Sequence, residues 1–179
     1  MKQFPALLFA LFLATVFSAC KPVSIEQQQA TATAFERSAL ELGKQAAEQS
    51  AIFLCNVDFK KGKEEYQKNI CARATPMGCQ ILSIQMDEIW QSFITAYPVP
   101  RLVCELQSSQ LLEESRQFGL PVQYWLVKLQ AKEGWVKDTP IREYWLQVAE
   151  ENGNWKLNRV LVLDEIRYYS ALEAAKVKS

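Results

Sequence analysis

Histidine is absent from this chain of 179 residues, and that absence limits what chemistry the remaining side chains can perform. Serine-protease-type triads, cysteine–histidine pairs, HExxH zinc sites and facial triads with two histidines all require an imidazole. Acid–base work then falls to Asp, Glu, Tyr or Lys. Asp87, Glu88, Tyr97, Tyr124 and Tyr144 are of suitable types, but no spacing singles one out, and a buried tyrosine is more often a core ring whose hydroxyl reaches a partner. Arg159 stands apart, because it shares a strand with Trp155, Leu157, Leu161 and Leu163. An arginine in such company either points into a pocket and pairs with an anionic ligand, or it pairs with a nearby carboxylate or snorkels to the edge. The ligand reading makes a pocket of Arg159, Tyr144 and Leu146.

The elements that must position these residues begin with a hairpin. Asn152-Gly153 lies between two apolar runs, in Glu150-Glu151-Asn152-Gly153-Asn154-Trp155. Both central positions of such a turn need φ > 0, which Asn and Gly accept. Placing them in the turn sets the register: Val148 faces Leu157, Leu146 faces Arg159, Tyr144 faces Leu161 and Trp145 faces Val160. Upstream, Thr33-Ala34-Phe35-Glu36 reads as a capping box. The helix it opens carries Phe35, Ala39, Leu42, Ala46 and Phe53 at helical spacing as far as about Cys55. The basic stretch Lys60-Lys61-Gly62-Lys63 reads as a solvated loop, and residues 63–73 allow a short second helix. A third helix after Thr75-Pro76-Met77-Gly78 places Leu82, Met86, Ile89, Trp90, Phe93 and Tyr97 on one side, and Pro98 and Pro100 end it.

From Val99 the period becomes alternating. Leu102, Cys104 and Leu106 fit one strand face, and residues 108–119 are either a loop or a short helix. Residues 122–129 form a strand covered on both faces. Gly134 marks a turn before Trp135 and Val136, and Ile141–Glu150 with Trp155–Leu163 make the hairpin. Asp164 and Glu165 can cap a last helix with Ile166, Tyr169 and Leu172 inward. Helices followed by antiparallel strands give an α+β class.

Equal numbers of acidic and basic side chains, and no run of Lys or Arg long enough to form a basic surface, argue against a nucleic-acid partner. Lys2 and Leu7–Leu13 read as the n- and h-regions of a secretory signal, too short to span a bilayer. Phe17-Ser18-Ala19-Cys20 then resembles the lipobox of bacterial lipoproteins. Ser18, Ala19 and Cys20 match that motif, while Phe17 stands where Leu is usual. The resemblance implies cleavage after residue 19, a lipid on Cys20, and a membrane anchor made stable by two or more acyl chains. Lys21 is not the aspartate linked to inner-membrane retention, so a diderm source would send the protein to the periplasmic side of the outer membrane. Residues 20–30, polar with Pro22 and three glutamines, suit a flexible tether, leaving 31–179 as one α+β domain.

Cys55, Cys71, Cys79 and Cys104 remain. In an exported domain four cysteines suggest two disulfides, with three possible pairings. The favoured one joins Cys71 to Cys79 across the intervening loop and Cys55 to Cys104 between the first helix and the sheet. A four-cysteine metal site is the alternative, but the paired CxxC spacing of zinc sites is missing.

The order of elements over residues 31–164 resembles the NTF2-like superfamily, a curved sheet wrapped around helices as a cone with a pocket. The closing strands, Tyr144–Val148 and Gly153–Val160 with their Gly-Asn-Trp-Lys turn exit, are the most specific part. The final helix departs from the pattern. That superfamily includes isomerases and dehydratases as well as transport adaptors and assembly domains, so fold alone chooses no function. Two readings follow. One is a lipid-anchored, non-enzymatic envelope lipoprotein that binds a protein partner or holds an assembly together, with no cofactor. The other is a small-molecule binder or isomerase/lyase-type enzyme around Tyr144 and Arg159. Exposed tryptophans forming a patch would favour the first.

Overall fold

A computed structural model describes residues 25–96, 99–133 and 141–176. The signal-like segment with Cys20, and also Tyr97, Pro98, Gly134, Trp135 and Val136, lie outside the described residues. The elements are α1 (Ile25–Cys55), β1 (Val57–Asp58), α2 (Gly62–Cys71), α3 (Pro76–Ala96), β2 (Arg101–Gln117), β3 (Leu120–Glu133), β4 (Arg142–Glu151), β5 (Asn154–Val160) and α4 (Leu163–Lys176). The strands form one open antiparallel sheet in the order β1-β2-β3-β4-β5, so the architecture is α+β. One compact unit ends at Ser38, and a second, from Ala39 onward, contains the sheet. Among the described residues no helix is long and apolar enough to cross a membrane.

Alternation along β3 and β4 gives the sheet two apolar faces. Trp125, Val127, Leu129, Leu146 and Val148 pack with Ala47, Leu54, Ile70, Leu82 and Met86 from the first three helices. On the other face Leu126 and Trp145 pack with Leu161 and Tyr169, and α4 covers them. The register agrees: Trp125 lies opposite Leu146, and Leu126 opposite Trp145. Two disulfides, Cys55–Cys104 and Cys71–Cys79, tie α1 to β2 and α2 to α3, which is the favoured pairing.

Several expectations are corrected. The first helix starts at Ile25 and not at the Thr33 capping box, so residues 25–30, read as tether, are helical. Glu, Gln and Ala in that stretch are good helix formers, and polarity alone does not prevent a helix. Its inward face is also rotated by one position: Leu42 is 46% exposed, while Ala47 and Ala51 are fully buried. A small-residue face lets the helix lie close to the sheet. At Gly43 an added Cβ would sit 1.7 Å from Gln123 Oε1.

Residues 108–117, read as loop or helix, continue β2, which turns into β3 through Phe118 and Gly119 at φ 53° and 83°. Pairing with β3 runs the full length of the strand, from Val103 opposite Glu133 to Gln117 opposite Leu120. β1 pairs with only Arg101 and Leu102. Among the described residues the rest of β2 is therefore a sheet edge, and its polar composition hides the strand period. Leu106 lies opposite Leu129 on the Leu102–Cys104 face, but on this edge strand it is 39% exposed. Leu172 of α4, expected inward, is 40% exposed, because the neighbouring Glu173 is the side chain that reaches the sheet, at Gln110.

The β4–β5 turn forms as expected, with Asn152 and Gly153 at φ 53° and 76° and Val148 opposite Leu157. Beyond that the register changes. Asn158 is an extra residue, so Arg159 lies opposite Gln147 and Val160 opposite Leu146. The Tyr144–Leu161 and Trp145–Val160 pairings also do not form, and Leu161 donates its N–H to the Trp145 carbonyl at 2.8 Å. A bulge accommodates one residue more on one strand than on its partner. Here α3 abuts it: a Cβ at Gly78 would come within 2.6 Å of the Asn158 carbonyl oxygen and 2.7 Å of that of Leu157.

Candidate functional site

The bulge decides where Arg159 points. Placed opposite Gln147, it joins the α4 face of the sheet, whereas Tyr144 and Leu146 pack into the opposite core. The three residues that the sequence groups as a pocket are therefore not brought together. Tyr144 is a core ring whose hydroxyl is pushed up to about 12 by burial, with Arg142 pulling the other way. Leu146 is fully buried.

On the α4 face Arg159 meets a polar network. Its Nη1 and Nη2 donate to the two carboxylate oxygens of Glu165 at 2.5 and 2.6 Å, and its Nε donates to Gln147 Oε1 at 3.1 Å. Glu165 also accepts the Val162 N–H, at 3.1 Å, so it caps the first turn of α4 while holding the arginine. The guanidinium beside it holds the Glu165 carboxyl below the usual carboxylate range, and the same bond raises Arg159 further.

Gln147, fully buried in the centre of β4, is saturated. Its oxygen accepts from Asn158 Nδ2 at 2.7 Å and from Arg159, and its Nε2 donates to Gln117 Oε1 at 3.0 Å and to the Tyr124 hydroxyl at 2.7 Å. Those four bonds are all that an amide side chain can make. Asn158 in turn accepts from the Thr75 hydroxyl at 2.8 Å, and that hydroxyl accepts the Gly78 N–H at 3.0 Å, capping α3. Tyr169 donates to Glu113 at 2.8 Å, and its own hydroxyl is pushed up by burial first and by that carboxylate second. The network runs from α3 through β5, β4 and β3 to β2 and α4. It satisfies buried polar groups, as an interior requires, and within it the Arg159 charge is matched by that of Glu165.

The sequence does not single out Gln147, Asn158 or Gln117. The available signal is a glutamine in the middle of an otherwise apolar strand. The other sequence candidates are dispersed: Asp87 pairs with Lys63 on the surface, and Tyr124 belongs to the network. Among the described tryptophans, Trp125 and Trp145 are buried and Trp90 and Trp155 half-buried, so they form no exposed patch.

A concavity of about 300 Å³ lies elsewhere, where the end of α1, β1, α2 and the start of β2 meet. Phe53 forms an apolar wall, and Asp58, Lys61, Glu65 and Arg101 line it with charge. Lys61 belongs to the basic stretch read as a solvated loop, and the Asp58 turn carries it to this cleft: the Asp58 side chain accepts the Lys60 N–H at 3.1 Å and its carbonyl accepts the Lys61 N–H at 3.1 Å. Compared with known protein families, curated proteins and solved structures, the chain matches none.

Proposed function

We propose that this is a lipid-anchored cell-envelope protein whose α+β domain, NTF2-like in its order of helices and strands, is a non-enzymatic binding or assembly module for a protein partner. The observation that carries this reading is the Arg159–Glu165 pair. The cation best placed by sequence to hold an anionic substrate is neutralised inside the fold, and Tyr144 is on the other side of the sheet. A catalytic site assembled from Arg159, Tyr144 and Leu146 therefore has no common cavity in which to work. Two disulfides support an oxidising compartment, consistent with export under the signal-like Leu7–Leu13 segment and the Ser18-Ala19-Cys20 motif. In a diderm source the module would face the periplasm from the outer membrane.

The test is the intact mass of the full-length gene product recovered from the membrane fraction, beside a Cys20→Ser variant. Loss of residues 1–19 with an acyl-sized addition on Cys20, and release of the variant from membranes, are the expected results. An unlipidated soluble wild-type product overturns the anchored reading.

A further inference from the structure

Four charged side chains surround the cleft at Phe53, two of each sign, and among the described residues none is ion-paired. Their proximity makes this informative. Asp58 and Arg101 are register partners across β1 and β2, and Lys61 and Glu65 are spaced i,i+4, where opposite charges ordinarily meet. The acids also keep capacity to spare. One Asp58 oxygen takes the Lys60 N–H and one Glu65 oxygen takes Asn69 Nδ2 at 3.3 Å, which leaves each carboxylate a second oxygen. Asn56, also in the lining, spends its carbonyl oxygen on the Cys104 N–H at 2.7 Å, which fixes it and leaves its amide N–H groups for a ligand. Phe53 is held by the Arg73 guanidinium 3.4 Å from its ring centroid, so the wall is braced from one side.

We infer that this cleft binds a small zwitterion of amino-acid type, its carboxylate between Lys61 and Arg101, its ammonium at Asp58 and Glu65, and its side chain against Phe53. A cavity of about 300 Å³ is at the small end of ligand sites, which suits a single amino acid better than a folded partner. The two cations alone would fit any anion. The acids between them disfavour a simple anion by repulsion, and a ligand carrying both charges satisfies all four groups at once. This goes beyond the protein-partner module proposed above, and it depends neither on that reading nor on the anchor.

The experiment is calorimetric titration of the full-length protein in detergent with L-phenylalanine as probe, beside 3-phenylpropanoate, which lacks the ammonium, and 2-phenylethylamine, which lacks the carboxylate. Saturable binding of phenylalanine is expected, with each analogue weaker by about tenfold or more, the scale of one charge-assisted hydrogen bond. Arg101→Gln should weaken phenylalanine and leave 2-phenylethylamine unchanged, and Glu65→Gln should weaken phenylalanine and leave 3-phenylpropanoate unchanged. Arg101 is exposed and Glu65 half-buried, and an unchanged melting curve confirms that the variants are folded. No saturable binding of phenylalanine up to millimolar concentrations, or equal binding of either analogue, overturns the inference. The Cys20→Ser variant should bind phenylalanine as the wild type does, so failure of the anchor and failure of the cleft are read separately.

Discussion

Arg159 and Glu165 grip each other through two parallel hydrogen bonds, joining the end of β5 to the first turn of α4. They are six residues apart, and the chain must turn through Leu161 and Val162 to bring them face to face. Because Arg159 also donates to Gln147, the pair couples the seating of the last helix to the polar interior of the sheet.

Arg159→Ala should therefore loosen α4 selectively. The pair is partly solvent-exposed, at 20% and 31%, so screening limits its worth, and a loss of roughly 1–2 kcal/mol is expected. Arg159→Lys should recover only part of it, since an ammonium cannot span both carboxylate oxygens as the planar fork does. Urea unfolding monitored by tryptophan fluorescence reads both variants.

The same pair gives a pH signature. Glu165 has a folded-state carboxyl below its ordinary value of 4.5, with the Arg159 hydrogen bond as the main cause. A depressed acid contributes stability above its unfolded value and loses it as pH falls through its folded value. The urea midpoint of the wild type should drop on going from about pH 5 to about pH 3, and the drop should be smaller in Glu165→Gln. Equal acid sensitivity of the two proteins would count against the pair as a contributor.

The two disulfides should differ in worth. Cys55–Cys104 spans 49 residues and Cys71–Cys79 spans 8. The chain-entropy model assigns about 4 kcal/mol to the longer loop and about 2.5 kcal/mol to the shorter. Replacing both cysteines of each bridge by alanine should lower the melting temperature more for the first pair than for the second. Reduction should follow exposure, because Cys55 and Cys104 are buried while Cys71 and Cys79 are half-buried. The shorter bridge should open first under mild reductant, as differential alkylation and peptide mass would show.

Phe118 occupies the first central position of the β2–β3 turn at φ 53° and is 85% exposed. A bulky side chain there is conformationally unfavourable, and asparagine tolerates the left-handed region much better. Phe118→Asn should raise stability by about 0.5–1 kcal/mol, measured as a rise in the urea midpoint.

The residues show where pattern reading works. Asn152-Gly153 announces its turn because few other residue pairs accept two positive φ values, and Val148 opposite Leu157 follows by counting outward. Leu82 and Met86 face inward as their spacing requires. Counting fails one residue later, at Asn158, because a bulge leaves no mark in hydrophobic alternation. It fails on α1 because a helix lying close to a sheet buries Gly43, Ala47 and Ala51, while the larger Leu42 stays outside. On β2 it fails because an edge strand with polar side chains has no apolar period to count.

By itself the sequence determined the α+β class, the hairpin turn and the exclusion of imidazole chemistry, since each depends on residue type and local spacing, and among three possible disulfide pairings it favoured the one that forms. Only the tertiary structure decided what Arg159 does and where unpaired charge collects. Those outcomes depend on a one-residue bulge, on a helix docking across the sheet, and on Asp58, Lys61, Glu65 and Arg101 arriving at one cleft from positions up to 43 residues apart. Spacing along the chain does not encode such long-range meetings. They follow from how the elements pack.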